Sequence, residues 1–205
     1  MKYQWLDWAK RIQALSQTGL AFSKNVYDIE RYEELRNISV EIMSEYTDLE
    51  MQKIQDLFTN EIGYQTPKVD VRGVVFKDGQ ILMVNENWDN KWALPGGFCD
   101  VGLSPSENVV KEIKEESGFD VIPVKLLAVF DKNKHPHPPD PYHYYKIFIL
   151  CEIIGGAATT GIETNNIQFF SENNLPELST SRITESQIHA LFEFLRNPEK
   201  ETLFD

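Results

Sequence analysis

The sequence predicts an α+β chain in two domains, an all-helical segment over residues 1–65 and a mixed-sheet domain over residues 66–205. Three observations lead to that division. Apolar residues recur at helical spacing up to about residue 64. After Pro67 the pattern changes to short apolar runs separated by turn residues. Within the second domain a single short helix carries both its start and its stop signals, Ser104-Pro105 before it and Gly118 after it.

The first helix is expected from Tyr3 to Ser16, with Trp5, Trp8, Ile12 and Leu15 on its inward stripe. Leu20-Ala21-Phe22 reads as an apolar connector. A longer helix follows from Asn25 to Ser44, carrying Ile29, Tyr32, Leu35, Ile38, Ile42 and Met43. A third starts at Thr47, where Thr47-Asp48-Leu49-Glu50 has the form of a capping box. Broad apolar stripes on three short helices call for a partner surface, either in a dimer or over the active site.

Gly63 to Pro67 marks the boundary. Strands are expected at Val69–Phe76 and Ile81–Glu86, joined through Asp78-Gly79, a strong hairpin signal. Trp88 lies in the polar loop that follows, and Trp92 to Gly97 leads to the central helix. Two more strands are expected at Val121–Asp131 and Tyr144–Ile154. The loop between them, residues 132–143, is stiffened by four prolines and carries His135, His137 and Tyr142. His135 and His137 have no third ligand beside them, so a substrate-shaping loop is the expected role, with a rigid connector or dimer contact as the alternative. A short strand at Ile167–Phe170 and a final helix capped by Thr184 and Gln187 complete the chain.

The chemistry concentrates in the central helix. Ser104 is its N-cap, Pro105 occupies the first helical position and Glu107 completes a capping box. Glu112, Glu115 and Glu116 stand at i, i+3 and i+4 and therefore project from one face. Like charges at that spacing repel by a few tenths of a kcal/mol per pair, a cost that cations among them would offset. Oxygen donors of this kind suit a hard divalent cation such as Mg²⁺ beside a phosphate.

These residues resemble the signature of the Nudix hydrolases, Gly-x5-Glu-x7-Arg-Glu-U-x-Glu-Glu-x-Gly-U, with U a bulky apolar residue. Gly97, Glu112, Ile113, Glu115, Glu116, Gly118 and Phe119 match it, whereas Leu103 replaces a Glu and Lys111 an Arg. In the family the two replaced side chains brace the loop against the helix, so their joint loss points to a brace exchanged as a unit. The resemblance implies a Nudix α/β/α sandwich with a mixed sheet over residues 66–205. It also implies metal ligation by Glu112, Glu115, Glu116 and the Gly97 carbonyl. Mg²⁺ is the expected cation, with Mn²⁺ as a substitute. By position along that fold, Glu163 becomes a candidate for general base or further ligand beside the catalytic Glu112, Glu115 and Glu116.

The helical segment ahead of this signature is similar to a bacterial Nudix subgroup acting on X-linked nucleoside diphosphates, most of all the CDP-choline pyrophosphatases. That implies hydrolysis to a nucleoside monophosphate and a phosphorylated X group, here CMP and phosphocholine, by a homodimer. Aromatic faces suit a quaternary ammonium, and Trp88, Tyr142 and Tyr144 are available for it. Arg72 and Arg182 are the arginines that could meet a phosphate, an ordinary ion pair being the more common role for each, and His137 is a further substrate-binding candidate. ADP-ribose hydrolysis, RNA processing (at a 5′ polyphosphate end or as a 3′ exonuclease) and non-catalytic nucleotide sensing are the alternatives.

Composition limits these readings. A formal net charge of −12 weighs against an extended nucleic-acid surface, which needs many cations to neutralise phosphates. No run approaches the roughly 18 apolar residues of a membrane span. The amphipathic start does not resemble a signal peptide, and the two cysteines, Cys99 and Cys151, lack metal-ligand spacing. A cytoplasmic enzyme with a small nucleotide substrate is the expectation.

Overall fold

A computed structural model describes residues 4–46 and 63–205. The chain divides into two compact units, Met1–Pro67 with Pro139–Tyr142, and Lys68–Pro138 with His143–Asp205. The helix expected from Thr47 lies outside the described residues. Among the described residues no helix is long and apolar enough to cross a membrane.

In the first unit, α1 (Gln4–Phe22) and α2 (Val26–Glu45) pack against each other. Asn25 caps α2 by accepting from Tyr27 N. Leu20-Ala21-Phe22 is not a connector but the last turn of α1. Gly19 does not break the helix there, because it makes room for the Tyr32 ring, 2.4 Å from where a Cβ would stand. The inward stripe also differs from expectation. Leu6, Ala9, Gln13, Ser16 and Gln17 face inward on α1, whereas Trp8 and Leu15 face out. On α2 the buried residues are Ser39, Val40 and Met43, and Ser39 Oγ donates to Ala9 O at 2.9 Å. Small residues let the two backbones approach closely, so the larger apolar side chains do not set the contact face.

The second unit is the expected sandwich of mixed sheets and helices. β1 (Lys68–Val74) pairs parallel with β6 (Tyr144–Gly156), and β6 antiparallel with β5 (Phe119–Asp131). The short β8 (Leu203–Phe204) closes this sheet in the order β1-β6-β5-β8. A second sheet centres on β3 (Gln80–Glu86), with β2 (Phe76–Lys77), β4 (Trp92–Ala93) and β7 (Thr164–Phe170) all antiparallel to it. Asp78 and Gly79 both take positive φ, 51° and 76°, which the twist of a two-residue hairpin favours. β2, β4 and β8 are two residues each, too short for alternation to reveal.

Two helices cover the sheets. α3 (Pro105–Ser117) presses Val109 and Ile113 onto a core with Val71, Leu82 and Ile149. Gly73 permits that approach, since a Cβ there would lie 2.4 Å from Ile113 Cδ1. α4 (Glu185–Arg196), opened by the Thr184–Gln187 capping box, buries Ile188, Leu191 and Phe192 against Phe148, Ile81 and Leu127. The sheets thus fix α3 from below and leave its acidic face free to form a site.

Candidate active site

The loop entering α3 is laid along β1 by backbone hydrogen bonds. Gly73 N donates to Pro95 O (2.8 Å), Val71 N to Gly97 O (2.9 Å) and Cys99 N to Val69 O (3.0 Å). Gly96 takes φ +142°, and a Cβ there would sit 2.1 Å from Val71 O. Only glycine therefore fits between loop and strand. At Gly97 the would-be Cβ is 3.2 Å from Glu112 Oε2, so the glycine brings the backbone against the helix carboxylates.

At the helix start, Ser104 Oγ accepts from Glu107 N, and Glu107 Oε2 accepts from Ser104 N and Oγ. Asn108 is fully buried and ties the turn together. Its Oδ1 accepts from Asp100 N (2.8 Å), while its Nδ2 donates to Leu103 O and Ser104 O. Lys111 Nζ lies 3.1 Å from Asp100 Oδ2, 3.2 Å from Glu115 Oε2 and 3.9 Å from Glu112 Oε1. Its hydrogen bonds to Asp100 and Glu115 hold the ammonium well above its usual pKa. The acidic partner of residue 111 is thus Asp100, three positions before Leu103, which points to solvent.

The three helix carboxylates are not equivalent. Glu116 is buried, and its Oε2 accepts from Gly96 N at 2.8 Å. Burial pushes its pKa up to about 8, with the Arg72 charge and the Gly96 N–H opposing. Burial likewise raises Glu112, against Lys111. Glu115 is more exposed and paired with Lys111.

A fourth carboxylate, Glu86 at the end of β3, went unseen in the sequence. It is buried, raised by that burial, and further raised by the charges of Asp89 and Glu163. Arg182 Nε lies 3.0 Å from Glu86 Oε1, an ion pair without a directed hydrogen bond. Arg182 Nη1 also donates to Ser179 Oγ, which itself donates to Asp89 Oδ2 at 2.6 Å. Exposed Glu163 borders the same group, raising both Glu86 and Glu112 through its charge.

The remaining candidates fall in different places. Arg72 is not open to a phosphate. It is buried, chelates Asp70 through Nε and Nη2 (3.0 and 2.7 Å), and donates Nη1 to Leu94 O. Lys146 Nζ adds a second cation 2.8 Å from Asp70 Oδ1, and Asp70 is held down to about pH 2 by both partners against its burial. His137 Nδ1 donates to Thr180 O at 2.7 Å, while its Nε2 is buried with no hydrogen-bond partner among the described residues. Tyr142 groups with the helical unit, its carbonyl accepting from Lys10 Nζ. Tyr144 is 8% exposed, covered by the Phe98 ring at 5.3 Å. Trp88 is 78% exposed on its loop.

Sequence reasoning missed Asp100, Asn108, Phe98 and Glu86. A single acid closing the apolar run of β3 was the one available signal, for Glu86. The other three depend on how the loop folds back.

The donor set fits a divalent cation. Glu112, Glu115, Glu116 and Gly97 O offer oxygen only, and Glu116 is buried and Glu112 half-buried with their charge incompletely offset. Among the described residues no three His, Cys, Asp or Glu side chains converge on one point, and Glu115 pairs with Lys111.

Comparison with known proteins agrees with this geometry. Residues 66–192 match the model of the NUDIX domain, and residues 3–58 that of the UDP-X-like, N-terminal oligomerisation domain. A putative ADP-ribose pyrophosphatase of Bacillus subtilis is 59% identical over 202 residues, 98% of this chain and 97% of its own. The crystal structure of a UDP-X diphosphatase is 35% identical, covers 98% of both chains and has a TM-score of 0.65. An ADP-ribose pyrophosphatase from Streptococcus suis is 43% identical with a TM-score of 0.62, covering 68% of this chain and 100% of its own.

Proposed function

The chain belongs to the Nudix hydrolases, and on that premise we propose that it cleaves the pyrophosphate linkage of an X-linked nucleoside diphosphate with Mg²⁺. The observation that carries the reading is the packing of half-buried Glu112 and buried Glu116 against Gly97 and Gly96, where carboxylate charge gathers beside a backbone able to approach a phosphate. Among such substrates ADP-ribose is our first choice. Support comes from the Bacillus subtilis relative, named as a putative ADP-ribose pyrophosphatase, and the Streptococcus suis structure, named as an ADP-ribose pyrophosphatase. CDP-choline, expected from the helical segment, has less support, because Tyr144 lies beneath Phe98 rather than offering a face to a quaternary ammonium.

Glu112, Glu115, Glu116 and Gly97 O would hold the cation. When bound, it supplies polarisation of the phosphoryl oxygens and a lowered pKa for bound water. Gly96 N–H keeps the Glu116 carboxylate oriented through Oε2. Glu163, exposed at the edge of the acidic group, is our candidate to accept the proton of the attacking water at its carboxylate. Arg182, paired with Glu86, is our candidate cation for an entering phosphate, while Arg72 offsets charge from beneath through Glu116 and Glu86. Water adds across the P–O–P bond, giving a nucleoside monophosphate and a phosphorylated X group.

The helical segment would join two copies of the chain. Trp8, Leu15 and Phe22 recur every seven residues along the outward side of α1, an apolar stripe that fits the matched oligomerisation model. The function is tested by incubating the protein with Mg²⁺ and ADP-ribose, CDP-choline, UDP-sugars, dinucleoside polyphosphates or short 5′-triphosphorylated RNA, and quantifying the released phosphate esters. Conversion of ADP-ribose to AMP and ribose 5-phosphate is expected. Turnover of RNA alone would refute the substrate assignment.

A further inference from the structure

We propose that Phe98 is the surface on which the base of the nucleotide stacks, held flat for that purpose by Tyr144 and Lys132. The proposal rests on the hydrolase reading above and adds to it a residue that selects for a planar aromatic group.

Phe98 is 55% exposed although it directly follows Gly97 in the site loop. Its ring is far from free. One face lies on the Tyr144 ring, with centroids 5.3 Å apart and planes inclined by 27°. Tyr144 is buried, and Lys132 Nζ stands 4.6 Å from its ring centroid. The three groups form a pillar of ammonium, phenol and phenyl, of which only the outermost ring reaches solvent. The backbone is pinned as well. Phe98 bridges Asp70 on β1, and the flanking Gly97 O and Cys99 N are hydrogen-bonded to Val71 and Val69. A ring fixed from behind and below gives up little further freedom when a ligand covers its open face, which is the condition for preorganised binding.

Covering Tyr144 does not by itself call for phenylalanine. An aliphatic side chain would shield that ring equally well and expose less apolar surface to water. What an aliphatic cover lacks is a second flat face, and that face is what a nucleobase recognises. Position agrees. Phe98 pairs with Asp70 and so lies on the side of β1 shared by Asp70 and Arg72, whose guanidinium charge acts on Glu116 and Glu86, and only a ribose separates a base from its phosphates. Trp88, the other exposed ring in the loops around the site, has no aromatic partner stacked behind it among the described residues.

Steady-state kinetics of the full-length protein with ADP-ribose and Mg²⁺ test the proposal through Phe98→Ala, Phe98→Leu and Phe98→Trp, each first checked by thermal melting. Loss of the stack raises KM about tenfold or more in the alanine and leucine variants, with kcat within about threefold, and tryptophan restores KM. In Phe98→Trp, fluorescence beyond that of the wild type is quenched by AMP and not by ribose 5-phosphate. Recovery of KM by leucine would reduce Phe98 to a cover for Tyr144 and overturn the stack. So would wild-type turnover with KM unchanged in Phe98→Ala, and either result would leave the hydrolase reading standing. Absence of turnover in the wild type would overturn both.

Discussion

Lys111 Nζ reaches back 3.1 Å to Asp100 Oδ2 while also lying 3.2 Å from Glu115 Oε2. One ammonium thus joins the site loop to a carboxylate of the acidic face. Lys111 and a metal cation compete for Glu115, so the stronger the hold of Asp100 on Lys111, the freer Glu115 is to ligate. Removing the Asp100 charge leaves Lys111 to pair fully with Glu115 and Glu112. Asp100→Asn is therefore expected to raise the Mg²⁺ concentration for half-maximal turnover several-fold, with little change in rate at saturating metal. An unchanged metal titration would mean that Lys111 does not contend for these carboxylates.

Asn108 serves the same turn without charge. Its truncation in Asn108→Ala leaves Asp100 N and Leu103 O without their side-chain partner, while Ser104 O keeps the Asn108 backbone N–H, at a cost of about 2 kcal/mol in folding stability. Denaturant unfolding measures this directly. Asn108→Asp should be no better at neutral pH, because a carboxylate cannot donate to the two carbonyls.

Beneath the site, Asp70 is the common partner of Arg72 and Lys146, all three nearly inaccessible. Asp70→Asn would strand two buried cations, and breaking a buried pair from one side costs about 3–5 kcal/mol. A loss of under about 1 kcal/mol by chemical denaturation would contradict this account. Because the folded pKa of Asp70, about 2, is below its unfolded value, its contribution is complete above pH 3.8 and is lost as pH falls toward 2.

His137 gives a second pH dependence. Burial pushes its pKa down to about 4 from the usual 6.5, and its Nδ1–H donates to Thr180 O. The unfolded chain takes up a proton near pH 6.5 that the folded chain refuses until about pH 4. Stability from this group is therefore present above pH 6.5 and declines between 6.5 and 4. Melting temperatures across that window should fall less steeply in His137→Gln than in the wild type, whereas parallel curves would remove His137 from the explanation.

Much of this architecture could be read from local chemistry. The capped helix over residues 105–117, the Asp78-Gly79 hairpin and the long strands β5 and β6 each depend on neighbouring residues, and each appears where expected. What escaped depends on packing between distant segments. The inward face of α1 follows Ala9 and Ser39, small residues that carry no weight in an apolar stripe but allow close helix approach. Arg72 reads as either a phosphate ligand or an ion-pair partner until the fold sets Asp70 and Lys146 beside it. Tyr144 reads as an available ring until the loop lays Phe98 over it. Glu112, Glu115 and Glu116 were legible as a set from spacing alone, but their unequal burial was not, since it arises from the turn at Gly96 and the reach of Lys111.

Metal-dependent hydrolysis at the carboxylate cluster is the central claim, and Glu112→Gln addresses it most directly. Glu112 is raised in pKa by burial, so replacing it with the neutral isostere should leave the melting temperature unchanged or higher. Turnover of ADP-ribose with Mg²⁺ should meanwhile fall by at least about a hundredfold. Wild-type turnover that persists undiminished in a folded Glu112→Gln protein would contradict the assignment of the site.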